Sequence, residues 1–231
     1  MKKISRSFSY TLFFIGALLG LTLTALAAWA DLEAAAYGFD RTGGGQLSSL
    51  SCPILMTANE TSSFSVKVTN TTQRKLSPSI ETDVTARLML PITSYTPTEL
   101  VPGESKRVEW KIGPENIEFR QFVFIRARVY AFYPLPNREN TCGVFIVNLP
   151  SNGTVITWTM VVLSLLGTGL GLYGLTQSQG PVDMLRFKLL FILVIAGLIT
   201  SFMGWWMQGV IVIAVSLLLG IVTAGFTIRK Q

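Results

Sequence analysis

Four long apolar stretches constrain this chain more than any other feature of its sequence. They contain no charged side chain except Lys188, which lies at the edge of the third stretch. About 20 apolar residues in a helix are enough to cross the hydrocarbon core of a bilayer. We therefore expect four transmembrane helices, with the lipid bilayer as one partner of the chain. The stretches are residues 11–30, 154–176, 187–206 and 209–228.

The net charge of +6 is distributed in a way that argues against a nucleic-acid partner. Residues 31–150 hold as many acidic as basic side chains, so the whole basic excess flanks the apolar stretches. A nucleic-acid-binding protein instead concentrates its positive charge on a folded domain. The excess therefore carries information about membrane topology.

Basic residues beside membrane helices accumulate on the cytoplasmic side. Lys2, Arg186 and Lys230 each belong to a basic cluster, and successive spans place the three clusters on one side of the membrane. We therefore expect a multi-pass protein of the plasma membrane, with both termini in the cytoplasm and residues 31–153 outside. The predicted cytoplasmic segments before the C-terminus are residues 1–10 and 177–186.

Residues 1–30 support two interpretations. Their basic start, apolar stretch and small residues before Asp31 are features of a cleaved secretory signal peptide. The apolar stretch is longer than the roughly 7–15 residues of a signal-peptide core, which favours a retained membrane anchor. In both cases the following domain lies outside.

Between the first two apolar stretches the pattern changes to short alternating runs. Residues 31–46 include three consecutive glycines and are expected to form a flexible stalk. Phe64, Val66 and Val68 then alternate with polar residues, as in a half-buried strand. Six or seven such runs, separated by turn residues, predict an antiparallel β-sandwich over residues 47–150. The clearest runs are 50–57, 63–69, 80–90, 106–112, 121–133 and 143–149.

Two motifs resemble bacterial immunoglobulin-like domains of the CARDB type. They are residues 66–71, Val-Lys-Val-Thr-Asn-Thr, and residues 100–105, Leu-Val-Pro-Gly-Glu-Ser, the latter followed by Val108-Glu109-Trp110. The resemblance covers residues 47–149, apart from an irregular middle segment with two prolines at 89–99. It implies an extracytoplasmic all-β Ig-like sandwich, to which the apolar stretches add a bundle of about four transmembrane α-helices, so the expected fold class is a mixed membrane protein. It implies little about function, because such modules serve as spacers, adhesion units and assembly surfaces.

Cys52 and Cys142 are the only cysteines and lie in the first and last strand runs. In Ig-like sandwiches these strands commonly lie side by side, and an exterior compartment permits oxidation. We therefore expect a disulfide between them, with two free buried thiols as the alternative. A metal site is not expected, because two cysteines without histidine fall short of four ligands.

Two asparagines of the outer domain, Asn59 and Asn70, begin Asn-x-Ser/Thr sequences. A third, Asn152, lies close to the second apolar stretch. Asn59 and Asn70 are possible glycosylation sites if the host glycosylates them, and ordinary turn residues otherwise.

The sequence lacks the residues that most enzymes use. It contains no histidine, which is the commonest general base and metal ligand. The glycines at 43–45 are not followed by a phosphate-binding pattern. We therefore expect no catalytic residues, no cofactor and no metal. Ion-coupled transport is also disfavoured, since the apolar stretches lack ionisable groups within the membrane.

Small residues recur at helical spacing in the apolar stretches, where they let helix backbones approach closely. They would pack the helices of this chain together or form a face for another membrane subunit. The residues concerned are Gly16, Gly20, Gly167, Gly171, Gly174, Gly220 and Ala224.

These observations favour a non-enzymatic membrane scaffold or an accessory subunit of a membrane complex. Its partners would be other membrane protein subunits or further copies of itself. One alternative is a cell-surface receptor or adhesion module that binds a protein or glycan. Another is a small channel or carrier formed by oligomerisation, with a pore lined by small and hydroxyl side chains.

Overall fold

The structure, a computed structural model, describes residues 5–39, 45–86, 90–130, 136–177 and 181–228. The chain forms two compact units. The helical unit consists of Met1–Ala28 and Val155–Gln231, and the sandwich unit consists of Trp29–Thr154.

The helices are α1 (Arg6–Ala34), α2 (Gly153–Thr176), α3 (Pro181–Met203) and α4 (Trp206–Ile228). By length and composition, α1, α2 and α3 are each apolar enough to cross a membrane. In α4 the described apolar part, Trp206–Val222, is shorter than a full span. Three candidate spans are therefore present in the described part of the chain, and the fourth stays a prediction.

Two helix boundaries differ from the predicted ones. The expected cytoplasmic loop over 177–186 is helical from Pro181 onward, where a proline is well accommodated in the first helical turn. The expected spans were 187–206 and 209–228, but the break between the two helices lies earlier in the chain, at Gly204, whose φ is 64°. Glycine adopts this left-handed backbone without steric cost, so α3 ends there and α4 begins at Trp206.

Nine strands build the sandwich unit in the described residues. The larger sheet has the order β1-β9-β8-β5-β6, with β3 also paired to β9, and the smaller has the order β2-β4-β7. Most pairs are antiparallel as predicted, but β1 and β3 run parallel to β9. The strands are β1 (Gly45–Gln46), β2 (Leu50–Ser51), β3 (Leu55–Thr57), β4 (Ser62–Thr69), β5 (Ser79–Ala86), β6 (Leu90–Pro97), β7 (Ser105–Ile112), β8 (Phe122–Tyr130) and β9 (Arg138–Val147).

The two sheets enclose an apolar core. The alternation in β4 buries Phe64, Val66 and Val68 against side chains of the larger sheet. Each fully buried apolar side chain of this size contributes about 1.5–3 kcal/mol. The predicted disulfide between Cys52 and Cys142 is present and joins the connection between β2 and β3 to β9. It closes a loop of 90 residues, which in the chain-entropy model stabilises the fold by about 4–5 kcal/mol.

Residues 31–46 do not form the expected flexible stalk where they are described. α1 continues to Ala34, and a π-helical turn follows over Ala35–Phe39. Ala34 and Phe39 are buried against Phe122 and Phe124 on the outer face of β8. Gly45–Gln46 then pair with β9 as β1, and residues 40–44 lie outside the described residues. The apolar outer face of β8 explains the difference, because it provides a surface on which this segment buries its own apolar side chains.

The end of α1 approaches β9 most closely at Gly143. A Cβ atom at this position would overlap the carbonyl group of Ala30. The Gly143 N–H donates a hydrogen bond of 2.8 Å to the Asp31 carboxylate. The Trp29 ring packs 5.5 Å from the Phe122 ring, measured between centroids. Residues 29–39 are therefore part of the sandwich unit's own packing.

Candidate protein-docking face

The smaller sheet has three strands, and the larger sheet has five strands side by side. The smaller sheet therefore cannot cover the whole of the larger one, and one side of the sandwich is open. Phe64 and Val66 of β4 pack against core residues of β8, so β4 lies over β8. From this contact and the two strand orders we infer that β2-β4-β7 runs over β9-β8-β5, which leaves β6 beyond β7. The free edge of β7 and the inner surface of β6 therefore lie on the same side. We call β7 and β6 together the open side of the sandwich.

The inner surface of β6 is apolar and exposed at its first half and polar at Ser94 and Thr96. Ile92 lies opposite Val84 of β5 and Leu90 opposite Ala86, so both project from the face of the sheet that forms the core. Core positions on neighbouring strands, such as Ile80, are fully buried. Ile92 is nevertheless 52% exposed and Leu90 67% exposed. The core-facing side of the larger sheet is therefore not covered at Leu90 and Ile92.

The outer surface of β6 is polar and lies beside charges of β5. Tyr95 is exposed opposite Glu81, whose negative charge raises the pKa of the phenol. Thr93 donates a hydrogen bond of 2.6 Å to Asp83. The most apolar part of β6 is therefore the inner face at Leu90 and Ile92.

The two strands of the open side differ in their capacity to pair with a further strand. β6 contains Pro91 and Pro97, which lack backbone N–H groups and protect edge strands from pairing. β7 contains no proline, and among the described residues its only strand partner is β4. Its second edge therefore offers backbone donors and acceptors to an additional strand. Such a strand would also cover Ile92.

The charges of β7 are predominantly basic and are not neutralised within the described residues. The strand carries Lys106, Arg107 and Lys111 against a single acid, Glu109, and none of them forms a described ion pair. Several charges on the larger sheet are paired instead: Arg126 contacts Asp83 at 2.7 Å, and Arg128 contacts both Glu81 and Glu139. The β7 edge thus has a net positive charge.

The structure brings several of the predicted helix-packing residues together. A Cβ atom on Gly16 would lie 2.5 Å from the Thr168 backbone nitrogen, and one on Gly171 would lie 2.6 Å from that of Phe13. Gly20 faces Ser164, and Gly167 faces Gly16. These glycines form the contact between α1 and α2.

The remaining predicted packing residues do not contribute in the same way. A Cβ atom on Gly220 would meet nothing within 4 Å among the described residues. Gly174 is buried, and the Ala224 side chain lies outside the described residues. Sequence reasoning missed Gly197 of α3, where a Cβ atom would lie 2.8 Å from the Thr24 hydroxyl. Ser201, a small residue four positions after Gly197, was a signal that sequence reasoning did not use.

The two predicted glycosylation sites differ in accessibility. Asn59 is exposed. Asn70 is fully buried, and its amide nitrogen donates hydrogen bonds to the carbonyl oxygens of Arg74 at 2.8 Å and Leu100 at 3.1 Å. The nitrogen that would carry a glycan is therefore engaged in the fold, which favours the alternative of an ordinary turn residue at Asn70.

The described residues include no group of three or more acidic or cysteine side chains placed to hold a metal ion.

Sequence reasoning also missed the open side itself, because two prolines at 89–99 were interpreted as irregular structure. Prolines are tolerated at sheet edges, so these two were a signal for an edge strand.

Comparison with known proteins identifies no family. No family model and no curated protein matches the chain. The sandwich is similar to a CARDB domain from Pyrococcus furiosus, solved with di-metal ions, at 17% identity and a TM-score of 0.35, covering 43% of this chain and 90% of that domain. It is also similar to part of a β-glucosidase from Erythrobacter marinus, at 18% identity and a TM-score of 0.32, over 46% of this chain and 15% of the enzyme. A β-glucosidase from Listeria innocua is similar at 17% identity and a TM-score of 0.30, over 43% of this chain and 15% of the enzyme. Likenesses this distant carry no argument about activity or ligand.

Proposed function

We propose that this chain is a non-enzymatic accessory subunit of a membrane complex, and that its sandwich binds an extended segment of a partner protein outside the membrane. The observation that carries the proposal is the open side, where a free strand edge lies next to uncovered core residues of β6. Strand addition to a sheet edge supplies main-chain hydrogen bonds, and side-chain contacts on one face supply specificity. A strand paired with β7 would form main-chain hydrogen bonds with β7 and side-chain contacts with β6.

The charge of β7 favours a different protein over a second copy of this chain. Two copies of β7 paired with each other would bring Lys106, Arg107 and Lys111 of each strand close together, and like charges on adjacent strands destabilise a sheet. A segment with acidic residues facing outward and apolar residues facing Leu90 and Ile92 would satisfy the charge and the apolar surface together. We therefore assign the open side to an acidic, alternating strand of a partner.

The same proposal includes the topology expected from the sequence. The basic clusters keep both termini in the cytoplasm, and the sandwich faces the exterior. α1, α2 and α3 are long and apolar enough to hold it at the membrane. The glycine contacts between α1 and α2 are used within the chain, so the helices need no partner to explain them. The partner-binding role consequently rests on the sandwich.

Site-specific photo-crosslinking in the native membrane tests the proposal. A benzophenone amino acid is placed at Ile92, or at Val101 as the matched control, since each side chain is 52% exposed. We expect the Ile92 probe to give one dominant adduct with a different membrane protein, and mass spectrometry to locate the crosslink in an extended acidic segment. The Val101 probe, on the turn after β6, should not give this adduct.

Three results would contradict the proposal. Adducts only with another copy of this chain would indicate a homo-oligomer. Equal labelling from Ile92 and Val101 would indicate random collision. Retention of the adduct after a second substitution, Leu90→Asp, would show that the apolar surface of β6 is not involved, because a carboxylate there should repel an acidic, partly apolar strand.

A further inference from the structure

The sandwich unit has a groove of about 1020 Å³ next to the connection from β9 to α2. Asn148 and Leu149 of this connection line the groove, and α2 begins shortly afterwards, at Gly153. Phe145 also lines it, and the Trp29 ring, near the end of the first expected span, packs 5.5 Å from the Phe145 ring, measured between centroids. No described residue of β6 or β7 lines the groove, so it is separate from the open side.

The connections to two candidate membrane spans therefore meet at the end of the sandwich that holds the groove. Both α1 and α2 are long and apolar enough to cross a membrane. In the proposed topology this end of the sandwich lies nearest the bilayer surface, where a tryptophan such as Trp29 is a typical interfacial residue. A lipid ligand for the groove rests on that part of the proposed function and on nothing proposed for the open side.

A tight turn before β8 forms one wall of the groove. The Gln121 N–H donates a hydrogen bond of 3.0 Å to the Glu118 carbonyl oxygen, which closes a turn with two central residues. These are Phe119, with a φ of 48°, and Arg120, with a φ of 61°. Turns of this kind favour Asn-Gly, because bulky side chains are unfavourable on a left-handed backbone. The choice of phenylalanine and arginine therefore points to a role for their side chains outside the turn.

The groove combines one cation with apolar surface. Arg120 lines it, is exposed and takes part in no ion pair among the described residues. Ile117 and Leu149 line it as well, and Leu149 is 54% exposed. Phe119, beside Arg120, is 47% exposed. The described lining contains no acidic side chain that would neutralise the arginine.

We propose that this groove binds an anionic phospholipid of the surrounding bilayer, with Arg120 on the phosphate and the apolar part of the lipid along Leu149 and Ile117. Arginine forms strong, often paired hydrogen bonds with phosphate oxygens, and anionic lipid headgroups attract basic side chains near the membrane surface. A soluble anion would use Arg120 alone and leave the apolar lining in water. A purely apolar ligand would leave the guanidinium group unpaired. A ligand with an anionic head and an apolar body satisfies both parts of the lining.

Photo-crosslinking of the full chain in phosphatidylcholine vesicles tests the site. The vesicles contain a minor fraction of phosphatidylglycerol with a diazirine on its acyl chain, or of phosphatidylcholine with the same group, and mass spectrometry locates the adducts. We expect phosphatidylglycerol to label the groove about fivefold more than phosphatidylcholine, the effect of one basic side chain near anionic lipid. Soluble glycerol 3-phosphate should not compete.

Arg120→Asn should remove this preference and lower the yield with phosphatidylglycerol about fivefold. Asparagine tolerates the left-handed backbone, so the turn should be retained. The matched control is Arg74→Asn, which changes an exposed arginine outside the groove lining, between β4 and β5. It should leave the labelling of the groove unchanged. Thermal unfolding checks that both variants melt like the wild type.

Adducts in the membrane helices serve as an internal standard. Labelled helices with an unlabelled groove would overturn the proposal. So would equal labelling of the groove by the two lipids, or equal effects of Arg120→Asn and Arg74→Asn. Competition by glycerol 3-phosphate would also overturn it, because the apolar lining would then contribute nothing. Unlabelled helices would contradict the membrane topology itself and this lipid site with it, whereas none of these outcomes depends on the partner proposed for the open side.

Discussion

At the scale of single residues, a few atoms decide which segments of the sandwich unit pack together. Gly143 is one such position, because β9 approaches the Ala30 carbonyl more closely than any side chain would allow. Asp31 strengthens the contact by accepting the Gly143 N–H. Glu60 acts similarly at the start of α2, where its carboxylate accepts the N–H of Gly153 at 2.7 Å and that of Thr57 at 3.0 Å. Such an anion is favourable at the positive end of a helix.

We predict that Gly143→Ala destabilises the sandwich unit by about 1–3 kcal/mol, the usual cost of forcing an extra carbon into a packed site. The new Cβ atom would meet backbone atoms of Ala30, which cannot rotate away as a side chain would. Gly45→Ala is the control, since β1 pairs with the same strand and its Cβ atom would lie 3.6 Å from its nearest neighbour. Urea unfolding followed by Trp fluorescence measures both variants. Equal stability of the two would show that residues 29–39 do not pack on β9 in solution.

At the scale of elements, sequence patterns predicted the strands that are covered on one face and missed the features that depend on neighbours. The alternation of Phe64, Val66 and Val68 predicted β4, because one face of that strand is buried and the other exposed. β6 lacks such a pattern, since it is exposed on both faces and carries two prolines. An open side could not be predicted, because it depends on which strands remain unpaired.

The packing of residues 29–39 did leave a signal that the alternation rule does not use. β8 begins with Phe122, Val123, Phe124 and Ile125, all buried, so both of its faces are covered there. A continuous apolar run is typical of a strand buried on both sides. The run indicated that something covers the outer face, although it could not identify the end of α1 as the cover.

The contact between α1 and α2 gives a prediction at this scale. Gly16→Val should weaken the association of the two helices by about 1–3 kcal/mol, because its side chain would overlap the backbone of Gly167 and Thr168. Gly169→Val on α2 is the control, as a Cβ atom there meets nothing within 4 Å among the described residues. The melting temperature in one detergent, measured by size-exclusion after heating, should fall for Gly16→Val alone. A similar fall for both would indicate a general effect of valine in these helices.

At the scale of the whole molecule, the distribution of charge separates two kinds of surroundings. Residues 31–150 carry equal numbers of acidic and basic side chains, as expected for a domain in water, and the basic excess flanks the apolar helices. The disulfide agrees with an oxidising exterior for the sandwich unit. The proposed topology therefore predicts which residues a membrane-impermeant reagent can reach.

Cysteine labelling measures that topology with little background, because both native cysteines are joined in the disulfide. Ser63→Cys places a thiol on an exposed position of β4, and Gln177→Cys places one at an exposed position directly after α2. With an impermeant maleimide on intact cells, we expect Ser63→Cys to react at once and Gln177→Cys only after permeabilisation, since the positive-inside rule assigns them to opposite sides. The reverse pattern would place the sandwich in the cytoplasm, where a persistent disulfide is unusual and a binding partner would have to be sought on that side. Equal reaction of both positions in intact cells would mean that α2 does not cross the membrane.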